Sequence, residues 1–171
     1  TELPLGHSPT VVNGVVYVGG YDKKIHALNA ITGQIIPTWT FYEAGAGFET
    51  NPLVINNTVF AGNRDGYFYA LDAVSGVLKW KYKTGGPILY SAAYKDWILY
   101  FASNDSHAYA LKAIPDDPQN KDGQLIWKSS KFQGAGFHSY WAVMYTNKET
   151  NKDYVIFSGS HHFQNHKSTD M

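Results

Sequence analysis

The stretch VFAGNRDGYFYALDAVSGVLKW (59–80) reads as three strand runs divided by two turns. VFAG is a short run of β-branched, aromatic and small residues that stops at turn chemistry. In NRDG the Asn and Asp side chains bond local backbone, and the glycine accepts positive φ. YFYALDA then alternates side chains between two faces, with aromatics suited to a pleated surface. VSG makes a second turn, and VLKW is a last run that ends in tryptophan.

Two further segments align with it: GVVYVGGYDKKIHALNAITGQIIPTW (14–39) and WILYFASNDSHAYALKAIPDDPQNKDGQLIW (97–127). Leu28, Leu71 and Leu111 fall at spacings of 43 and 40 residues, and Asp22, Asp65 and Asp105 keep the same spacings. Gly33, Gly76 and Gly123 precede Trp39, Trp80 and Trp127. Ahead of each unit lies one more short run: PTVVN, NPLVI, SAAYK and, opening a fourth unit, YWAVMY. Four antiparallel strands in 40 to 50 residues are the size and content of a propeller blade. The expected architecture is an all-β propeller with about three and a half four-stranded blades, near 8–50, 51–90, 91–139 and an incomplete 140–171, in one partial domain over 1–171. Such a ring is incomplete, and unpaired strands at its end invite pairing. Other protein segments or subunits are expected to complete it.

Composition bounds the partners. With 14 basic and 14 acidic side chains, the net charge of zero removes the electrostatic case for nucleic acid or an anionic membrane surface. No apolar run approaches a membrane-spanning length, so no direct membrane insertion is expected. The chain has no cysteine, which excludes disulfides, thiolate zinc sites and cysteine nucleophiles.

The pattern VYVGG-D----ALNA-TG---W resembles the pyrroloquinoline-quinone (PQQ)-type β-propeller repeat, and the likeness covers nearly the whole chain. The resemblance implies a propeller of an exported protein, periplasmic or at the cell surface. It leaves two functions open. One is a binding or scaffold module with no chemistry of its own, like the outer-membrane assembly lipoprotein of this family. The other is part of a PQQ- and calcium-dependent quinoprotein alcohol dehydrogenase, with cofactor and ion on the propeller axis. The dehydrogenases' vicinal cysteine pair is missing here, and no calcium cluster is evident, so the first reading is preferred and no cofactor is assigned. The resemblance also makes Trp39, Trp80 and Trp127 the residues that dock one blade on the next.

Candidate site residues follow from the crossovers. GAGF occurs at 45–48 and 134–137, with TGGP (84–87) in the intervening position. The glycines suit a tight passage from outer to inner strand, with positive φ where the path needs it. A phosphate loop is disfavoured, because no strand–loop–helix with a lysine follows. The residues after these glycines, Phe48, Glu49, Thr50, Tyr90, Ser91, His138, Ser139 and Tyr140, would border one mouth of the channel, where mixed aromatic and polar groups suit a ligand. His161, His162 and His166 could ligate zinc, copper or haem iron, though a solvated hairpin explains them as well. IPDDPQNKDG (114–123) fails as a calcium loop and reads as an exposed acidic turn. Asp22, Asp65 and Asp105 recur together, as turn-capping residues do, and none is assigned a catalytic role.

Overall fold

A computed structural model describes residues 4–40, 42–132 and 141–157. It is all β, in four antiparallel sheets. The first holds β1 (Thr10–Val12), β2 (Val15–Gly19) and β3 (Ile25–Asn29). The second runs β4 (Leu53–Ile55), β5 (Thr58–Gly62), β6 (Tyr67–Asp72), β7 (Leu78–Lys83). The third runs β8 (Ala93–Lys95), β9 (Ile98–Ser103), β10 (His107–Lys112), β11 (Gln124–Lys128), and the fourth pairs β12 (Val143–Asn147) with β13 (Lys152–Ile156). Each sheet is a meander, so strand order follows chain order. The first strands of neighbouring sheets lie against one another, β1 on β4 and β8 on β12, which places them at the axis. This is a β-propeller whose ring is unclosed among the described residues.

Local chemistry explains the hairpins. Asn13–Gly14, Asn56–Asn57 and Asp96–Trp97 all have positive φ at both residues, the two-residue turn whose twist matches the flanking strands. At the turn after the third strand, Asn29 Oδ1 accepts the N–H groups of Ile31 and Thr32, and Asp72 Oδ1 those of Val74 and Ser75. These bonds to ionised Asp72 outweigh its burial, which alone would raise the pKa, and hold its carboxyl below the usual range.

One expected strand is largely absent. QIIPTW pairs with β3 only through the isolated bridge Leu28–Ile35. Pro37 has no N–H to give the ladder, and this copy carries two residues more than VLKW before its tryptophan. The indole takes over part of the lost pairing, since Trp39 Nε1 donates to Ile25 O at 2.8 Å.

The core lies between sheets. One cluster joins Tyr17, Ile25, Ala27 and Trp39 to Val59, Ala61, Tyr69, Leu71 and Ala73 of the second sheet. The next joins Phe60, Phe68, Ala70 and Trp80 to Leu99, Phe101, Tyr109 and Leu111 of the third. At its centre Phe68 and Phe101 stack with centroids 4.3 Å apart. Each buried Phe or Leu contributes roughly 1.5–3 kcal/mol, so these junctions are the main source of stability.

The junctions repeat one contact. A Cβ added to Gly76 would come within 3.0 Å of the Trp39 indole, and one added to Gly123 within 2.9 Å of Trp80. The residue after each tryptophan donates its N–H to the same turn, Thr40 to Ser75 O at 2.7 Å and Lys81 to Lys121 O at 2.9 Å. The acidic insertion 114–123 is therefore docked on the edge of β7 as well as exposed. Trp127, by contrast, is 36% exposed where Trp39 and Trp80 are 3%.

Candidate functional site

The crossover glycines run between two hairpin turns, one from each neighbouring sheet. Ala44 N–H donates to Lys23 O at 3.0 Å, and Phe48 N–H to Gly20 O at 3.0 Å, on the first sheet. On the second sheet, Gly45 N–H reaches Asp65 Oδ2 at 2.9 Å, and Asn63 Nδ2 reaches Ala46 O at 2.8 Å. The next crossover repeats the pattern, with Gly85 N–H to Asp105 Oδ2 at 2.9 Å and Ile88 N–H to Asn63 O at 3.0 Å. Close approach is what these glycines serve. A Cβ on Gly45 would meet Asp65 Oδ2 at 2.9 Å and one on Gly47 would meet Tyr21 Cα at 3.0 Å, while neither glycine has positive φ.

The recurring aspartates do more than cap their own turns. Asp65 Oδ1 accepts Tyr67 N–H at 2.8 Å, and Oδ2 accepts both the crossover N–H and the Tyr69 hydroxyl at 2.6 Å. Asp105 makes the same set with His107 N–H, Gly85 N–H and the Tyr109 hydroxyl. Burial pushes the Tyr69 and Tyr109 phenols well up, and the carboxylate that each hydroxyl donates to pushes them further. Burial would raise Asp105, but the Tyr109 hydroxyl and two N–H groups outweigh it and hold the carboxyl low. In the first sheet His26 replaces the tyrosine, with Nε2 2.8 Å from Asp22 Oδ2.

The predicted mouth residues divide by burial. Phe48 is fully buried and packs edge-on against Tyr69 at 5.6 Å. Thr50 is buried too, and its hydroxyl donates to Gly62 O at 3.0 Å. Glu49 is largely covered, with its side chain 14% exposed, and it pairs with the Arg64 guanidinium and accepts from the Tyr21 hydroxyl at 3.0 Å. Half-buried Tyr90 is close enough that the Glu49 charge, after burial, raises its phenol pKa. Ser91 Oγ accepts Asn51 N–H at 2.8 Å, and Asn51 Oδ1 accepts Ser8 N–H at 2.9 Å. Glu49 and Tyr90 are thus both partly buried and close enough to interact, and Phe48 and Thr50 are fully inside. His138, Ser139, Tyr140, His161, His162 and His166 lie outside the described residues.

Sequence reading missed the axial chain Ser8–Asn51–Ser91, although the three residues share the 43 and 40 spacing of the leucines. It also missed Tyr21 and Arg64 as partners of Glu49. No repeat signal marks them, because their positions carry different residue types in each copy.

Residues 1–136 match the family described as outer membrane protein assembly factor BamB. No curated protein matches the chain. Among solved structures it is similar to BamB from Moraxella catarrhalis, at 18% identity and TM-score 0.63, covering 91% of this chain and 50% of that one. It is similar to the computationally designed Ika4 protein, at 16% identity and TM-score 0.64, covering 93% and 94%. It is also similar to the quinohemoprotein alcohol dehydrogenase ADHIIG from Pseudomonas putida HK5, at 19% identity and TM-score 0.63, covering 88% and 30%. At these identities the likeness is one of fold. The chain spans half the length of the Moraxella protein and less than a third of the dehydrogenase.

Proposed function

Because the chain belongs to the family of the outer membrane protein assembly factor BamB, we propose that it is a protein-binding or scaffold part of a propeller, working in the periplasm or at the cell surface. The observation that carries this reading is where its unsatisfied surface lies. The polar groups of the crossovers are spent on holding sheets together, as with Asp65, Asp105, Thr50 and the Ser8–Asn51–Ser91 chain. The large exposed apolar side chains Val143, Tyr145, Tyr154 and Ile156 lie on one face of the β12–β13 hairpin, where register pairs Val143 with Ile156 and Tyr145 with Tyr154. A face of that kind fits another protein surface. Other segments or subunits that complete the propeller are the partners proposed for it.

Against the dehydrogenase reading stand the partners that most of the recurring carboxylates already have. Asp65 and Asp105 each accept two N–H groups and a tyrosine hydroxyl, and Glu49 pairs with Arg64. Neither quinone nor calcium is therefore given a role.

The test uses the full-length protein. A photo-cross-linking residue at Tyr145 or Tyr154 is expected to yield an adduct with another polypeptide or a distant segment of the same one. Stoichiometric uptake of PQQ with calcium, together with dye-linked alcohol oxidation, would overturn the reading in favour of a dehydrogenase.

A further inference from the structure

The junction between the first and second sheets is not filled to the same depth as the junction between the second and third. A cleft of about 430 Å³ opens between the first two sheets, beside the β1–β2 and β4–β5 turns. Its floor is Tyr17 and Ala27, and Val12, Trp39 and Val54 stand around them. At the next junction the corresponding cleft, lined by Trp80, Ala113 and Lys121, stops short of Phe60 and Ala70. Those two residues stand 43 positions after Tyr17 and Ala27. Tyr94 takes the space there. It stands 40 positions after Val54 and packs on the cluster that contains Phe60 and Ala70. Trp97 meets Tyr94 edge-on, with centroids 6.5 Å apart. An aromatic ring thus occupies at one junction the depth that is open at the other.

Two sequence features open the first cleft. One is valine at position 54, where the next copy has tyrosine. The other is Pro37, which leaves a looser segment in place of an outer strand, with Ile36 and Thr38 as the outer wall. In the second sheet β7 keeps its ladder with β6 through Leu78 and Trp80. The cleft is uncharged, since no Asp, Glu, Lys, Arg or His lines it. Tyr17 and Trp39 present ring surface, packed edge-on to each other at 5.6 Å. Asn13 and Asn56, both in positive-φ turns, bring amide groups to the rim, and Thr38 brings a hydroxyl. An apolar depth with a few polar groups at its edge is the usual form of a small-molecule site, whose volume runs from roughly 300 to 1,000 Å³.

We propose that this cleft binds a small, neutral aromatic molecule, of phenol to indole size, that carries one hydrogen-bonding group. Its ring would lie against Tyr17 and Ala27 as the Tyr94 ring lies at the next junction. Covering the ring removes apolar surface from water, and the Tyr17 and Trp39 rings favour edge-on or offset packing. The polar group would stay at the rim, with the Asn13 and Asn56 amides or the Thr38 hydroxyl. A charged ligand would lose hydration with no counter-charge to meet. The cleft lies apart from the β12–β13 face, and its ligand does not depend on the scaffold reading.

The test follows 5-fluoroindole by fluorine NMR in the presence of the full-length protein. Saturable line broadening is expected, with a Kd at or below ~1 mM, an ordinary affinity for about ten heavy atoms. Phenol should displace the probe and cyclohexanol should not. In methyl-labelled protein, nuclear Overhauser contacts should join the probe ring to Val12, Ile36 and Val54. They should not reach Leu53 and Ile55, on the opposite face of β4. Val54→Tyr should abolish the saturable broadening without lowering the urea midpoint, because it supplies the ring that Tyr94 supplies one sheet later. Absence of saturable broadening overturns the proposal. So do contacts confined to other methyl groups, displacement by cyclohexanol as readily as by phenol, or undiminished binding by folded Val54→Tyr. The Overhauser contacts decide the question on the unsubstituted protein if Val54→Tyr does not fold.

Discussion

Gly62→Ala puts a methyl group into space that Ile88 occupies. An ideal Cβ on Gly62 would lie 2.8 Å from Ile88 Cβ and 3.2 Å from Ile88 O, and nearer still to the end of that side chain. Neither partner can swing away easily, because Ile88 is fully buried in the cluster with Phe68, Phe101 and Tyr109. The Gly62 φ is not positive, so the backbone itself accepts alanine. Alanine in a strand gains roughly 0.5–1 kcal/mol over glycine, and overpacking costs about 1–3 kcal/mol, for a net loss of about 1–2 kcal/mol. Ile88→Ala alone costs about 2–5 kcal/mol through lost burial and the cavity it leaves. In the double variant the nearest contact, to the end of the Ile88 side chain, is gone, and the shortened side chain leaves room for the remaining Cβ at 2.8 Å to shift away. The double variant should therefore be less destabilised than the two single changes added, by about 1–2 kcal/mol of coupling. Urea unfolding of all four proteins, with equal m-values as the check on two-state behaviour, gives the cycle. Additive losses, with coupling within about 0.5 kcal/mol of zero, would refute the close approach of crossover and strand.

Other expectations concern charge and the tryptophans. Asp72 and Asp105 have lowered carboxyl pKa values, so their stabilisation is present above the ordinary aspartate range near pH ~3.9 and is lost as pH falls through the folded values. The melting temperature, followed from neutral pH down through that range, should show an acid limb that Asp105→Asn flattens. The sign reverses for Tyr69 and Tyr109, whose raised phenols stabilise the fold below pH ~10 and lose that contribution as pH climbs through the folded values. Tyrosinate absorbance should show these two groups ionising only as the fold is lost, and their early titration with intact near-ultraviolet dichroism would contradict the burial. Trp80→Ala should cost about 3–5 kcal/mol, since it removes the filling between Phe60, Phe68 and Gly123, and partly exposed Trp127 should cost clearly less in the same urea assay. Arg64→Ala should cost about 1–3 kcal/mol, more than an exposed pair, because it leaves the largely buried Glu49 carboxylate with the Tyr21 hydroxyl as its remaining side-chain partner, and urea unfolding checks it.

Much of the fold is legible in the sequence because its causes are local. The Asp–Asn–Gly turn chemistry, the alternation in YFYALDA and the recurrence of leucine, aspartate and tryptophan are properties of neighbouring residues, repeated at spacings of 43 and 40. They determined the strands, the hairpins and the propeller class. Where local chemistry conflicts with the repeat, the repeat misleads, and Pro37 removes most of a strand that the alignment expects.

Which groups meet across sheets was decided only by the tertiary structure. Sequence places Asp65 on its own turn, but folding brings it 2.9 Å from Gly45 N–H, twenty residues back in the preceding crossover. Sequence puts Phe48, Glu49 and Thr50 together after a glycine loop, but alternation along the backbone turns Phe48 and Thr50 inward and leaves Glu49 between Tyr21 and Arg64. Tryptophan and glycine share each repeat in the sequence, yet the Trp39 and Trp80 indoles seat on the glycines of the following sheets, Gly76 and Gly123. The physical reason is that periodicity specifies which face of a strand is apolar, whereas the partner of that face depends on how successive sheets stack around the axis.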